Sequence, residues 1–263
     1  MPVGSFPFLC ALLAGLSLAQ NGGRERVAPL ESGMVRSLEL EPLPGTRAQY
    51  FRLDALGARP EQAPVALLRY VAGPDRVGGV RVDFELQYLA TDVRVLHTEQ
   101  ASLTSRRLVF RELRGGGGRT LFLQGSPSAG FEGHELGIGE VVRRELAGPG
   151  EFPLLLLESA RLGQDLPPEA LVLDPLAAGF ELLRITCSNQ DDLRRIEGRR
   201  IDGSLRWRVV ARGEELLEWR FQERGPVARS VPREVFEALL EQHGGVRAEV
   251  REAATDPAPA ELR

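Results

Sequence analysis

The chain has 263 residues, 43% of them apolar, and a formal charge of −4 at neutral pH. It contains no lysine: all 33 basic residues are arginine. That removes P-loop, Schiff-base and lysine-base chemistry, and a weakly acidic chain presents no global field to nucleic acid, so no nucleic-acid partner is expected.

The first charged residue is Arg24, and residues 8–18 read F-L-C-A-L-L-A-G-L-S-L. Ser17-Leu18-Ala19 places small side chains at the −3 and −1 positions of a cleavage site before Gln20. Residues 1–19 therefore read as a cleaved signal peptide, and the expected location is periplasmic or secreted. The n-region lacks an arginine, which leaves the start codon open. A retained anchor competes with this reading, but Pro7 and Gly15 interrupt the run, and it falls short of the roughly 20 apolar residues of a span. Processing would leave no stable transmembrane segment. A lipoprotein with Cys10 as the lipid site is the third option, with bulky Leu9 where a small residue belongs. After cleavage only Cys187 remains, so the domain must stand on its core without a disulfide. About 240 residues are enough for that. Cys187 lies in the apolar run 180–187 and is expected to be a buried, inert thiol.

Residues 20–45 read as a lead-in with helical hints at Met34, Val35 and Leu38. Residues 64–71 place Val65, Leu68 and Val71 together with Leu67, which predicts a short helix ended by Gly73-Pro74. Residues 80–88, V-R-V-D-F-E-L-Q-Y, alternate strictly. That is the pattern of a strand with one buried and one wet face. Residues 93–99 continue as strand, and 107–113 and 119–124 flank the glycine run 115–118, which predicts a hairpin rather than a phosphate loop. Residues 125–150 read as an irregular glycine-rich loop. Phe152-Pro153-Leu154 opens a buried helix closed by Gly163. Residues 170–174 and 180–187 read as buried strands. Asp202-Gly203 signals a hairpin, with Leu205, Trp207, Val209 and Ala211 on one apolar face and Leu217, Trp219 and Phe221 on another. A turn over 212–214 would set Trp207 across from Trp219. Ser230-Val231-Pro232 starts a helix to Gln242, and residues 246–263 are expected to be a disordered tail. Residues 20–245 form the single predicted domain.

Candidate chemistry is sparse. His97 and Glu99 share a strand face and could begin a metal site, but no third ligand is readable, so a solvated strand face is expected and no metal or cofactor is assigned. His134 sits in the glycine-rich loop without a nucleophile at readable spacing. Ser126-Pro127-Ser128-Ala129-Gly130 lacks the leading glycine of a hydrolase elbow. The arginine pairs 106–107, 143–144, 194–195 and 199–200 read as solvated faces. The tryptophans carry the most information. Burying one removes about 150–250 Å² from water, or about 4–6 kcal/mol. They are therefore either sheet core or the wall of a cavity.

The short helix expected at 64–71 before the 80–88 strand, and the E-L-L-E-W-R-F strand at 215–221, give a layout that resembles the LolA/LolB-like periplasmic half-barrels that carry lipoproteins or lipids. The resemblance spans roughly residues 60–242 and implies a wet convex face and a greasy concave one. The expected fold is α+β: one strongly curved antiparallel sheet, half-barrel-like, with two or three helices covering its apolar face. The leading expectation is a non-enzymatic protein binding an apolar or acylated ligand, a lipid or lipoprotein acyl chain, lined by Phe84, Leu86, Trp207, Trp219 and Phe221. A scaffold protein with a self-filled concave face comes second. A hydrolase using the 125–139 loop comes third.

Overall fold

The computed structural model describes residues 45–59, 61–75, 79–91, 93–102, 104–114, 117–137 and 140–243. The expected signal peptide, helical lead-in and disordered tail lie outside the described residues. Fourteen strands form one antiparallel sheet in the order β8-β7-β6-β5-β4-β3-β2-β1-β14-β13-β12-β11-β10-β9. Their ranges are β1 Arg47–Asp54, β2 Ala66–Pro74, β3 Val80–Tyr88, β4 Arg94–Ala101, β5 Arg106–Arg114, β6 Gly117–Ser126, β7 Gly130–Gly137 and β8 Glu140–Ala147. After helix α1 (Pro153–Arg161) follow β9 Glu169–Asp174, β10 Gly179–Gln190, β11 Leu193–Arg200, β12 Leu205–Arg212, β13 Glu215–Arg220 and β14 Val227–Val231, then helix α2 (Arg233–His243). Two meanders, β1 to β8 and β9 to β14, are thus joined through the β1–β14 pair, Tyr50 opposite Val231 to Asp54 opposite Val227.

Ring contacts show how tightly this sheet curls. Phe84 on β3 and Trp219 on β13 are four strand steps apart, about 19 Å along a flat sheet, yet their ring centroids are 5.5 Å apart. Phe131 on β7 and Phe180 on β10 are eleven steps apart, about 53 Å along the sheet, and their rings lie 6.0 Å apart. The sheet therefore bends almost full circle, but β8 and β9 do not pair. The strip before α1 bridges the gap. Glu151 pairs with Val172 in parallel: its N–H donates to the Leu171 carbonyl (2.7 Å), and its carbonyl accepts from Leu173 (2.9 Å). The Gly150 N–H donates to the Pro127 carbonyl, and Phe152 lies 4.6 Å from Phe131. The buried Arg106 of β5 is ion-paired with the Glu151 carboxylate.

Helix α1 occupies the concave face. Leu154 through Arg161 are all buried, and a helix buried all round is one surrounded by protein. Leu154, Leu155 and Leu157 join the main core, while Leu156 joins Ala170, Val172, Leu183 and Ile185 of β9 and β10. Pro153 at its first position and a Schellman end fit the sequence reading. Gly163 has φ +86°, and its N–H donates to Ala160 while that of Gln164 donates to Ser159. Helix α2 forms where expected but on the other side. Phe236 packs on Tyr50 (5.1 Å), which alternates with inward-facing Phe51, and no α2 residue is buried. Among the described residues the apolar face thus carries one helix, fewer than the two or three expected.

Several local expectations change. Of the 64–71 segment, all from Ala66 on belongs to strand β2, and none of it is helix. Residues 125–150 are not an irregular loop, because β7 and β8 run through them. Their glycines permit close strand packing: a Cβ on Gly133 would lie 1.9 Å from the Phe122 carbonyl oxygen. Arg106 is inward-facing and buried rather than solvated. Cys187 is exposed, because β9 pairs with β10 only as far as Arg184 and the rest of β10 runs on past it. The glycine run at 115–118 does connect a hairpin, with Arg114 opposite Gly117. At Asp202-Gly203, the Ser204 N–H and hydroxyl both donate to Asp202 Oδ1.

Candidate functional site

A cross-strand row of rings defines the concave wall. Phe110 of β5 faces His97 of β4, His97 faces Phe84 of β3, and Phe84 faces Tyr70 of β2. Trp219 reaches this row from β13, edge-on to Phe84 and to Tyr70 (6.0 Å), and stacks on Phe221 at 5.3 Å. Between this wall, α1 and the β9–β12 side lies a partly open, mostly apolar cavity of about 200 Å³. Phe84, Leu86, Trp207, Trp219 and Phe221, the five residues singled out in the sequence, all line it.

The register that brings them there differs from the sequence expectation. Trp219 pairs with Val209, not Trp207, because Arg212 pairs with Glu215 and a bulge follows between Val210 and Ala211. Trp207 instead sits opposite Gly198 of β11, with its ring over the glycine. A Cβ there would lie 2.6 Å from that ring. Both tryptophans still face inward, since even-numbered shifts preserve the face.

His97 and Glu99 are the residues that local pattern reading misplaced. Both are buried, Glu99 completely, since Val95, His97, Glu99 and Ala101 point inward along β4. His97 Nε2 lies 2.8 Å from Glu99 Oε1, within ion-pair distance but without hydrogen-bond geometry. Glu99 Oε2 accepts the Leu155 N–H at 2.8 Å. Phe152, the cap residue of α1, has no side-chain bond to offer, so a strand carboxylate replaces the missing cap. His97 itself lines the cavity. Among the described residues no group of three His, Cys, Asp or Glu side chains is placed to hold a metal.

A second buried polar group anchors the helix. The Glu158 carboxylate accepts from the Tyr70 hydroxyl (2.9 Å) and from the Arg161 guanidinium, and Arg161 donates onward to the Glu214 carbonyl. Burial, and then the Glu158 charge, push the Tyr70 phenol well above its ordinary range, so it remains a donor. At the cavity rim Arg206 donates to both Asp174 and Glu181, each at 3.0 Å.

The hydrolase candidates do not converge. His134 is exposed on strand β7 rather than in a loop. Ser128, the serine at the elbow position, is exposed in the turn that ends at Gly130, and its hydroxyl lies 3.2 Å from that of Ser126. Gly130 is four residues along β7 from His134, about 13 Å at strand rise and beyond the reach of a base. Ser126 Oγ instead accepts the Ala129 N–H within its turn. Among the described residues no helix is long and apolar enough to cross a membrane. Compared with protein-family models, curated proteins and solved structures, the chain matches none, so these residues themselves are the basis for any functional reading.

Proposed function

We propose that this is an exported, non-enzymatic protein that binds an apolar or acylated ligand in the concave face of its sheet. The observation that carries the reading is the cavity beside α1, where Phe84 and Leu86 of β3, Trp207 of β12, Trp219 of β13 and Phe221 just past it converge. A closed core of this size would interdigitate without such a space. Concave, mostly apolar sites with a few polar groups are the usual form of small-ligand sites. The strong curl of the sheet around α1 supports carriage, and the apolar run at residues 8–18 supports export.

Size limits the ligand. A cavity of about 150 Å³ lined by aliphatic and aromatic side chains holds one benzene. With α1 seated, about 200 Å³ suits one short chain or ring, not the several acyl chains of a lipoprotein. The second reading is a scaffold whose concave face is filled from within, and complete burial of α1 favours it. Extraction of protein purified from its native envelope, followed by mass spectrometry, separates the two. Co-purification of a single-chain apolar species, lost in Leu157→Phe, is the expected result. No extracted species, together with no tryptophan emission change on adding short alkyl esters, would leave only the scaffold.

A further inference from the structure

The wall of this cavity is not uniformly greasy. Trp219 is 6% exposed and its indole Nε1 has no hydrogen-bond acceptor among the described residues. An indole nitrogen is only a donor. A buried donor left without an acceptor costs about 1–3 kcal/mol, and native structures keep few of them. The neighbours of Trp219 are the rings of Tyr70, Phe84 and Phe221, and the Tyr70 hydroxyl is already committed to Glu158.

From this we infer that the ligand carries an uncharged oxygen acceptor, such as an ester or amide carbonyl, on a short apolar chain, and that the Trp219 N–H donates to it. The inference rests on the reading of the cavity as a ligand site and specifies its chemistry.

Charge placement rules against a free carboxylate. His97, which lines the cavity, lies within ion-pair distance of Glu99, an acid with no exposed surface, and the buried Glu158 carboxylate stands behind the Tyr70 ring. The one arginine lining the cavity, Arg206, already donates to Asp174 and Glu181. An anionic headgroup would meet these acids, since His97 and Arg206 each already face a carboxylate, and burying it so would be costly. A neutral carbonyl accepts one hydrogen bond and needs no counter-charge.

The test compares methyl hexanoate with nonane, which has the same number of heavy atoms, and with hexanoate. Bound fractions are measured by headspace gas chromatography for the two volatile ligands and by equilibrium dialysis for the acid. Trp219→Phe is expected to weaken methyl hexanoate about 5- to 10-fold, the loss of one neutral hydrogen bond, and to leave nonane within about two-fold. Hexanoate is expected to bind more weakly than its ester. The wild-type protein provides a check that does not depend on the variant folding. The chain has two tryptophans, and one indole ¹⁵N–H signal should move downfield with the ester and stay in place with nonane. Equal loss of both ligands in Trp219→Phe, an indole signal that responds to both alike, or tighter binding of hexanoate than of ester would overturn the inference while leaving a greasy site intact. Failure of every ligand to bind would overturn the cavity reading itself, and this inference with it.

Discussion

Glu99 Oε2 accepts the N–H of Leu155 at 2.8 Å across 56 residues of sequence, so a strand of the sheet closes the first turn of the helix it encloses. Glu99→Leu leaves that N–H buried without a partner. It should lower unfolding free energy by about 1–3 kcal/mol in urea titration. Glu99→Gln keeps an acceptor at the same reach and should recover most of the loss. Equal losses in the two variants would mean that the carboxylate does not cap the helix.

The Glu158–Arg161 pair is wholly enclosed. Removing one member of such a pair leaves an uncompensated charge, typically about 3–5 kcal/mol. Glu158→Ala should therefore destabilise strongly. The double change Glu158→Leu with Arg161→Met should be much milder than either single change. Additive losses in chemical denaturation would refute coupling.

Tyrosine ionisation offers an independent view of the same region. Burial raises both Tyr70 and Tyr88, with Glu158 adding to the first and Glu112 to the second, and Tyr88 reaches about 12. Folded values raised above the unfolded one, near 10, give stability that is complete below about pH 10 and is lost as pH rises beyond it. Phenolate absorbance should therefore show two of the three tyrosines titrating late, together with loss of secondary structure. Three groups titrating together near 10 with the fold intact would contradict this.

At the acid end, Glu135 and Glu197 govern. Burial pushes each up, but the hydrogen bonds from Arg144 and Arg119, and from Arg208 and Arg199, hold both below the ordinary 4.5. A depressed folded value means that this stability is present above about pH 4.5 and is lost as pH falls through the folded values. Thermal midpoints should be flat from neutrality to about pH 5 and then drop. Glu135→Gln and Glu197→Gln should cost more at pH 7 than at pH 3. A variant whose deficit does not shrink on acidification would rule that carboxylate out.

Gly198→Ala tests the wall of the cavity. Its new Cβ would meet the Trp207 ring at 2.6 Å, so the ring must move off the glycine toward the cavity. Weaker ligand uptake and a shifted tryptophan emission should appear with little change in circular dichroism. Unchanged uptake would show that Trp207 has room elsewhere.

The residues also show what sequence can and cannot convey. The 80–88 strand is legible because each inward position is apolar and each outward one charged or polar. The cavity residues were legible for a similar reason, since the inward face of a strand survives an even slip of register. Segment 64–71 misled because both faces of β2 carry buried leucines, Leu67 and Leu68, and a continuous apolar run fits a helix as well as a strand. Glycines conceal β7, because Gly125, Gly130 and Gly133 answer to a neighbouring strand's backbone rather than to a local turn. His97 and Glu99 were read as wet because their partners are Leu155 and a cavity, contacts that no local window contains.

The β1–β14 junction has a consequence for how the molecule forms. Every other strand pair joins neighbours in sequence, so each meander can zip from hairpins with short loops to close. The junction alone requires Val227–Val231, the last strand, to find Arg47–Asp54, the first. Until Val227–Val231 is available to pair, the early meander must keep the β1 edge open. Its unpaired edge is then the surface most exposed to the wrong strand. Among the described strands, this junction is the pairing that closes the longest stretch of sequence.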